Sequence, residues 1–70
     1  MPKYVLIKDC EVFEDSSTGK AFQCGINGNL EWIPYSHCRA RHINKKIHGG
    51  DSIEITVWLA EKLDVEGEPC

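Results

Sequence analysis

Asn27-Gly28 stands between two runs of alternating apolar and polar residues, and no other feature of the chain restricts its possible folds so strongly. In a two-residue hairpin loop of type I′ both positions take positive φ, which Gly adopts without strain and Asn tolerates better than most residues. Residues 20–26 put Phe22, Cys24 and Ile26 on one side. Residues 29–34 return with Leu30 and Trp32 on one face and Glu31 and Ile33 on the other. The expectation is therefore two antiparallel strands, with Phe22, Cys24, Ile26, Leu30 and Trp32 turned to the core. Pro34 has no N–H to give to a ladder, so it ends the second strand or lies on an edge.

The remaining elements follow from period and punctuation. Residues 4–14 are rich in Val, Ile, Tyr and Phe and read as a strand. Their alternation changes phase near Lys8-Asp9, which predicts a bulge there. Asp15-Ser16-Ser17-Thr18-Gly19 is a polar turn. Ser36 is placed to cap one helical turn through His37, Cys38 and Arg39. Residues 39–48 have no clean period and read as a loop closed by Gly49-Gly50. Ile53, Ile55 and Val57 alternate with Glu54 and Thr56, a strand over residues 52–57 with one wet face. Trp58, Leu59, Leu63 and Val65 then form the apolar side of a short helix. The expected domain covers residues 1–66, with residues 67–70 a frayed tail. The fold class is β-rich α+β: about four strands in a small curved sheet or partly open SH3- or OB-like barrel, with a short C-terminal helix.

Seventy residues lie near the lower limit for a single self-sufficient domain. A core that small is expected to need its large aromatics, so Trp32 and Trp58 are assigned to it. The longest early apolar run is residues 4–7, too short for a signal-peptide core or a membrane span. The expected location is thus the cytoplasm, where the four cysteines stay reduced. Cys10 and Cys24 are expected inward and unpaired, and Cys70 exposed.

Two motifs carry a resemblance, Leu30-Glu31-Trp32-Ile33-Pro34-Tyr35-Ser36 and Val57-Trp58-Leu59-Ala60-Glu61-Lys62. The chain resembles a family of small phage and prophage proteins with a Trp-Ile/Val-Pro-x-Ser segment after a hairpin and a strand running into a Trp-Leu-Ala-Glu-Lys helix. Their order and spacing match over about half of the chain. The family commonly has Pro-Glu where this chain has Thr56-Val57, and often Lys in place of Tyr35. The resemblance implies a phage origin and a compact β-rich fold, and it brings no catalytic residues.

Charge is segregated along the chain. Arg39, Arg41, Lys45 and Lys46 fall within residues 39–50 without a carboxylate, although the net charge is −3. Downstream, Lys62 faces Asp51, Glu54, Glu61, Asp64, Glu66 and Glu68. Two partner surfaces are expected: Tyr35, Arg39, Arg41, Lys45 and Lys46 on one, and Glu61, Asp64 and Glu66 on the other. Ser36, His37 and Cys38 are neighbours whose side chains diverge, so they form no nucleophile–base pair. With little room for a substrate cavity, the chain is expected to be non-enzymatic and to use no cofactor. Cys24, Cys38, His42 and His48 offer zinc-type donors, but without a Cys-x2-Cys knuckle. The expected function is a phage-encoded binding protein on a host protein or nucleoprotein surface, of the kind that inhibits host defence, including anti-CRISPR proteins. The alternatives are a single-stranded nucleic-acid accessory protein of phage DNA metabolism and a zinc-stabilised structural module.

Overall fold

A computed structural model describes residues 3–69. In chain order the elements are β1 (Tyr4–Asp15), β2 (Ala21–Ile26), β3 (Asn29–Pro34), a 3₁₀ turn (Tyr35–His37), β4 (Cys38–His42), β5 (Asp51–Thr56), α1 (Val57–Leu63) and β6 (Glu68–Pro69). Among the described residues the strands form one antiparallel sheet in the order β3-β2-β1-β5-β4, and β6 pairs with β1 at Val5 and Leu6. This is a β-rich α+β fold. The two end strands of that order, β3 and β4, are joined by the 3₁₀ turn but do not pair, so the sheet curls without closing into a barrel. The curl brings Arg41 of β4 to 5.0 Å from the ring of Phe22 in β2.

β1 serves both halves of the sheet. Tyr4 to Cys10 pair with β5, and Glu11 to Asp15 pair with β2. Ile7 and Cys10 are both buried although three positions apart, which an uninterrupted strand forbids. A bulge between them takes up the extra residue, with Asp9 in the left-handed region at φ 55°. The expected break at Lys8-Asp9 is in place.

The hairpin turn is also in place, with Asn27 at φ 53° and Gly28 at φ 81°. Its register corrects one expectation. Ile26 lies opposite Asn29, which sets Phe22 opposite Ile33 and Gln23 opposite Trp32. Directly opposed residues share a face. Ile33 is therefore fully buried, while Trp32 and Leu30 are 54% and 59% exposed. Trp58 is likewise 53% exposed and not a core anchor. The core is built of smaller side chains, Ile7, Cys10, Cys24, Ile26, Ile33, Ile53 and Ile55, around Phe22, with Leu59 and Ala60 of α1 as its lid.

Three other readings are revised. The 3₁₀ turn begins after Pro34 and has no side-chain cap, so Ser36 does not cap it. The segment expected to be a loop from Arg39 opens as strand β4, paired with β5 and bulged between Cys38 and Ala40. The expected frayed tail is docked as far as it is described. Glu68 and Pro69 pair with β1, and a Cβ at Gly67 would fall 2.7 Å from Ile7 Cδ1 and 2.8 Å from the Leu6 carbonyl. Only glycine lets the backbone approach that closely. Cys70 lies outside the described residues.

Helix α1 is short and closed at both ends. Thr56 Oγ1 accepts the Leu59 N–H at 3.2 Å, an N-cap bond. Asp64 turns left-handed at φ 55°, and the Val65 N–H returns to the Ala60 carbonyl at 3.0 Å. Cys10, Cys24 and Cys38 are free thiols. A hydrogen bond with Cys10, together with burial, pushes the Cys24 thiol far above its ordinary range, so it stays protonated. Among the described residues no helix is long and apolar enough to cross a membrane.

Candidate interaction surface

The basic residues singled out from sequence do not act as one group. Arg39 is engaged within the fold: its Nε donates to Glu54 Oε1 at 2.9 Å and its guanidinium lies 4.3 Å from the Tyr4 ring. His42 Nε2 meets the other oxygen of the same carboxylate at 3.1 Å. Arg39 first, then His42, hold the Glu54 carboxyl below its usual range. Arg41 turns the other way, over the rings of Phe22 at 5.0 Å and Tyr35 at 5.1 Å. Among the described residues no carboxylate lies within ion-pair distance of Arg41. Lys45 and Lys46 stand exposed on the following turn.

Tyr35 is half-buried against Phe22, with ring centroids 5.2 Å apart, and its hydroxyl donates to Asp15 Oδ1. That bond pushes the phenol above its ordinary range. Tyr35 is thus a strut between the 3₁₀ turn and the end of β1. On the acidic side, Glu61 and Asp64 are exposed along and after α1. Glu66 borders a shallow depression that also holds Lys8, whose Nζ donates to Glu68 at 3.1 Å. The acidic surface is therefore interrupted by a lysine.

The zinc-type donors are not brought together. Cys24 is in the core, His42 is at Glu54, and His48 is fully exposed with Nδ1 3.6 Å from Glu11. No group of three or more potential metal-binding side chains converges among the described residues. His37 stacks on Trp58 at 4.8 Å and shares a 3.2 Å hydrogen bond with Thr56 Oγ1, the atom that caps α1. Its surroundings explain it as a brace for the helix start.

What sequence reasoning missed is an apolar exterior. On the outer face of β1, β2 and β3, the Phe13 ring and Leu30 lie over Gly25, whose Cβ would meet them at 3.3 and 3.9 Å. Trp32 stands two residues along the same face of β3. Phe13 also forms one wall of a groove of about 320 Å³, with Ile43 and Ile47 opposite. The groove exists because β5 begins at Asp51, opposite Cys10, and leaves the second half of β1 without a strand on that side.

Asp51 finishes the edge in place of a strand. It is 6% exposed; Oδ2 accepts the Val12 N–H at 2.9 Å and Oδ1 accepts the Asn44 N–H at 2.7 Å. The turn beyond is folded on itself. Lys46 N–H donates to Asn44 Oδ1 at 3.1 Å, and Gly50 N–H donates to the Ile47 carbonyl at 3.1 Å. Ile43 and Ile47 are held outward by these bonds. Their signal was present in sequence, as two isoleucines four apart in an otherwise polar basic stretch.

No protein-family model matches the chain, no curated protein matches it in sequence, and no solved structure matches its fold.

Proposed function

We propose that this chain is a non-enzymatic binding protein that occupies the surface of another protein. The observation that carries the reading is the placement of Leu30 and Trp32, more than half exposed beside Phe13 on a sheet face where they contribute little to the core. Exposed apolar side chains gathered in one patch mark interaction sites, and tryptophan is among the residues that dominate interface energy. Together with the resemblance to small phage proteins, the patch supports a host protein or nucleoprotein as partner and stoichiometric inhibition of host defence, of the anti-CRISPR kind, as role.

Tagged protein passed over host lysate should retain a specific partner, and the double variant Leu30→Ser, Trp32→Ser should lose it while keeping its circular dichroism spectrum. Retention unchanged by the double variant overturns the reading. A single-stranded nucleic-acid role has one observation in its favour, exposed rings on a curved sheet, since bases stack on such rings. Against it, Glu11 lies opposite Gly25 on the same face as those rings and repels phosphates. Binding of bare single strands below about 1 μM at physiological salt, tighter than non-specific contact, would favour that role instead.

A further inference from the structure

We infer that the groove between Phe13 and the turn at residues 43–50 takes an acidic, extended segment of the partner protein. One bulky apolar side chain of that segment seats between Phe13, Ile43 and Ile47, and its flanking carboxylates meet Arg41 and Lys45. The inference rests on the protein-binding reading and names the chemistry of the partner.

Shape comes first. A groove of about 320 Å³ is at the small end of the ~300–1,000 Å³ range of ligand sites, so it suits one or two side chains. Its walls are fixed before any partner arrives, on one side by the β1–β2 pairing and on the other by the bonds of Asn44 and Asp51. Little ordering cost is then left to binding.

Charge decides the kind of partner. Arg41 and Lys45 line the groove, and Arg41 is held in place by the Phe22 and Tyr35 rings without a carboxylate of its own among the described residues. Arg39, by contrast, is engaged with Glu54 and lies outside the groove. Two carboxylates line the groove as well. Asp51 is turned inward with both oxygens accepting backbone N–H groups, and Glu11 stands beside His48 at 3.6 Å. With Asp51 turned inward, the accessible rim sets Arg41 and Lys45 against Glu11, an excess of one positive charge on a protein of net charge −3. An acidic peptide matches that rim. A nucleic acid does not: its repeating phosphates would meet Glu11 in the groove and run onto Glu14 and Asp15 at the end of β1.

Peptides of the form acetyl-Asp-Glu-X-Asp-Glu-amide, with X as Leu, Phe or Trp, test the inference by NMR titration of labelled protein to millimolar concentration. At least one should shift the Ile43 and Ile47 methyl and Phe13 ring signals saturably. Replacing X by Ser, or the acids by Lys, should weaken binding at least about tenfold. The variant Lys45→Glu, Ile47→Ser changes two exposed turn residues, leaves the dispersion of the spectrum intact, and should lose the response. The inference is overturned if no acidic peptide gives saturable shifts there, if the Lys peptides bind as well, or if a single-stranded oligonucleotide saturates the same signals at lower concentration. Partner capture that depends on Leu30 and Trp32 yet ignores Lys45→Glu, Ile47→Ser also overturns the groove, and leaves the binding-protein reading standing.

Discussion

The two faces of the β2–β3 hairpin divide the same residue types in an unexpected way. Inside, Phe22, Cys24, Ile26 and Ile33 are shut away from water. Outside, Leu30 and Trp32, with the larger side chain among them, remain more than half exposed. Hydrophobic size therefore does not rank these positions. A two-residue turn fixes which residues oppose each other, and a one-residue change of register would exchange the faces entirely. A protein that keeps its bulkiest ring outside has assembled its core from isoleucine and cysteine around Phe22.

Truncation across the hairpin is the strongest way to break that comparison. Phe22→Ala should cost about 3–5 kcal/mol in chemical denaturation, as lost transfer energy plus a cavity. A cost equal to that of Trp32→Ala would abolish the distinction between the faces. Asp51→Ala should follow at about 2–3 kcal/mol, because the Val12 and Asn44 N–H groups lose a shared charged acceptor in a partly buried site. Gly28→Val should cost more than about 1 kcal/mol. Nothing crowds a Cβ there, so the strain comes from φ 81° alone, and an unchanged melting temperature would remove the turn as the source of register.

On the outer face, Trp32→Ala should change stability by about 0.5 kcal/mol or less, as for a surface substitution. The smallest effect concerns the edge held by Glu54. Its folded carboxyl titrates below the ordinary value near 4.5, so its contribution is complete above that value and fades as pH falls through the lower folded one. Glu54→Gln should therefore be slightly less stable than the parent at about pH 7, with the gap closing on acidification. A gap that widens in acid would reverse the assignment.

Much of the fold could be read from the chain because local signals agreed with it. The Asn27-Gly28 turn, the phase change at Lys8-Asp9 and the Ile53–Ile55 alternation each stand where expected. The facing of Ile33 was also implicit, since a two-residue turn after Ile26 sets Ile33 against Phe22, but the size of Trp32 outweighed that register. β4 was harder to see. Cys38 and Arg41 face inward, opposite Ile55 and Ile53, and the bulge between Cys38 and Ala40 breaks the alternation, so what marks the segment as a strand is its pairing with β5, about ten or more residues later. The residues expected to contact a partner divided similarly. Arg41 and Lys45 stand exposed as expected, whereas Tyr35 and Arg39 have partners within the fold that no local pattern announces. Phe13 lines one groove with Ile43 and Ile47, some thirty residues later in the chain, because β5 starts only at Asp51.

That aspartate also bears on how the molecule opens. One carboxylate holds the amide of Val12 in the sheet through Oδ2 and the amide of Asn44 in the turn through Oδ1, so an opening that swings the Asp51 side chain away frees both together. Hydrogen exchange at these two positions should share one protection factor, although they belong to different segments. The turn then lasts as long as the sheet edge beneath it, and the lifetime of a surface loop is set by a strand thirty-two positions earlier in the chain.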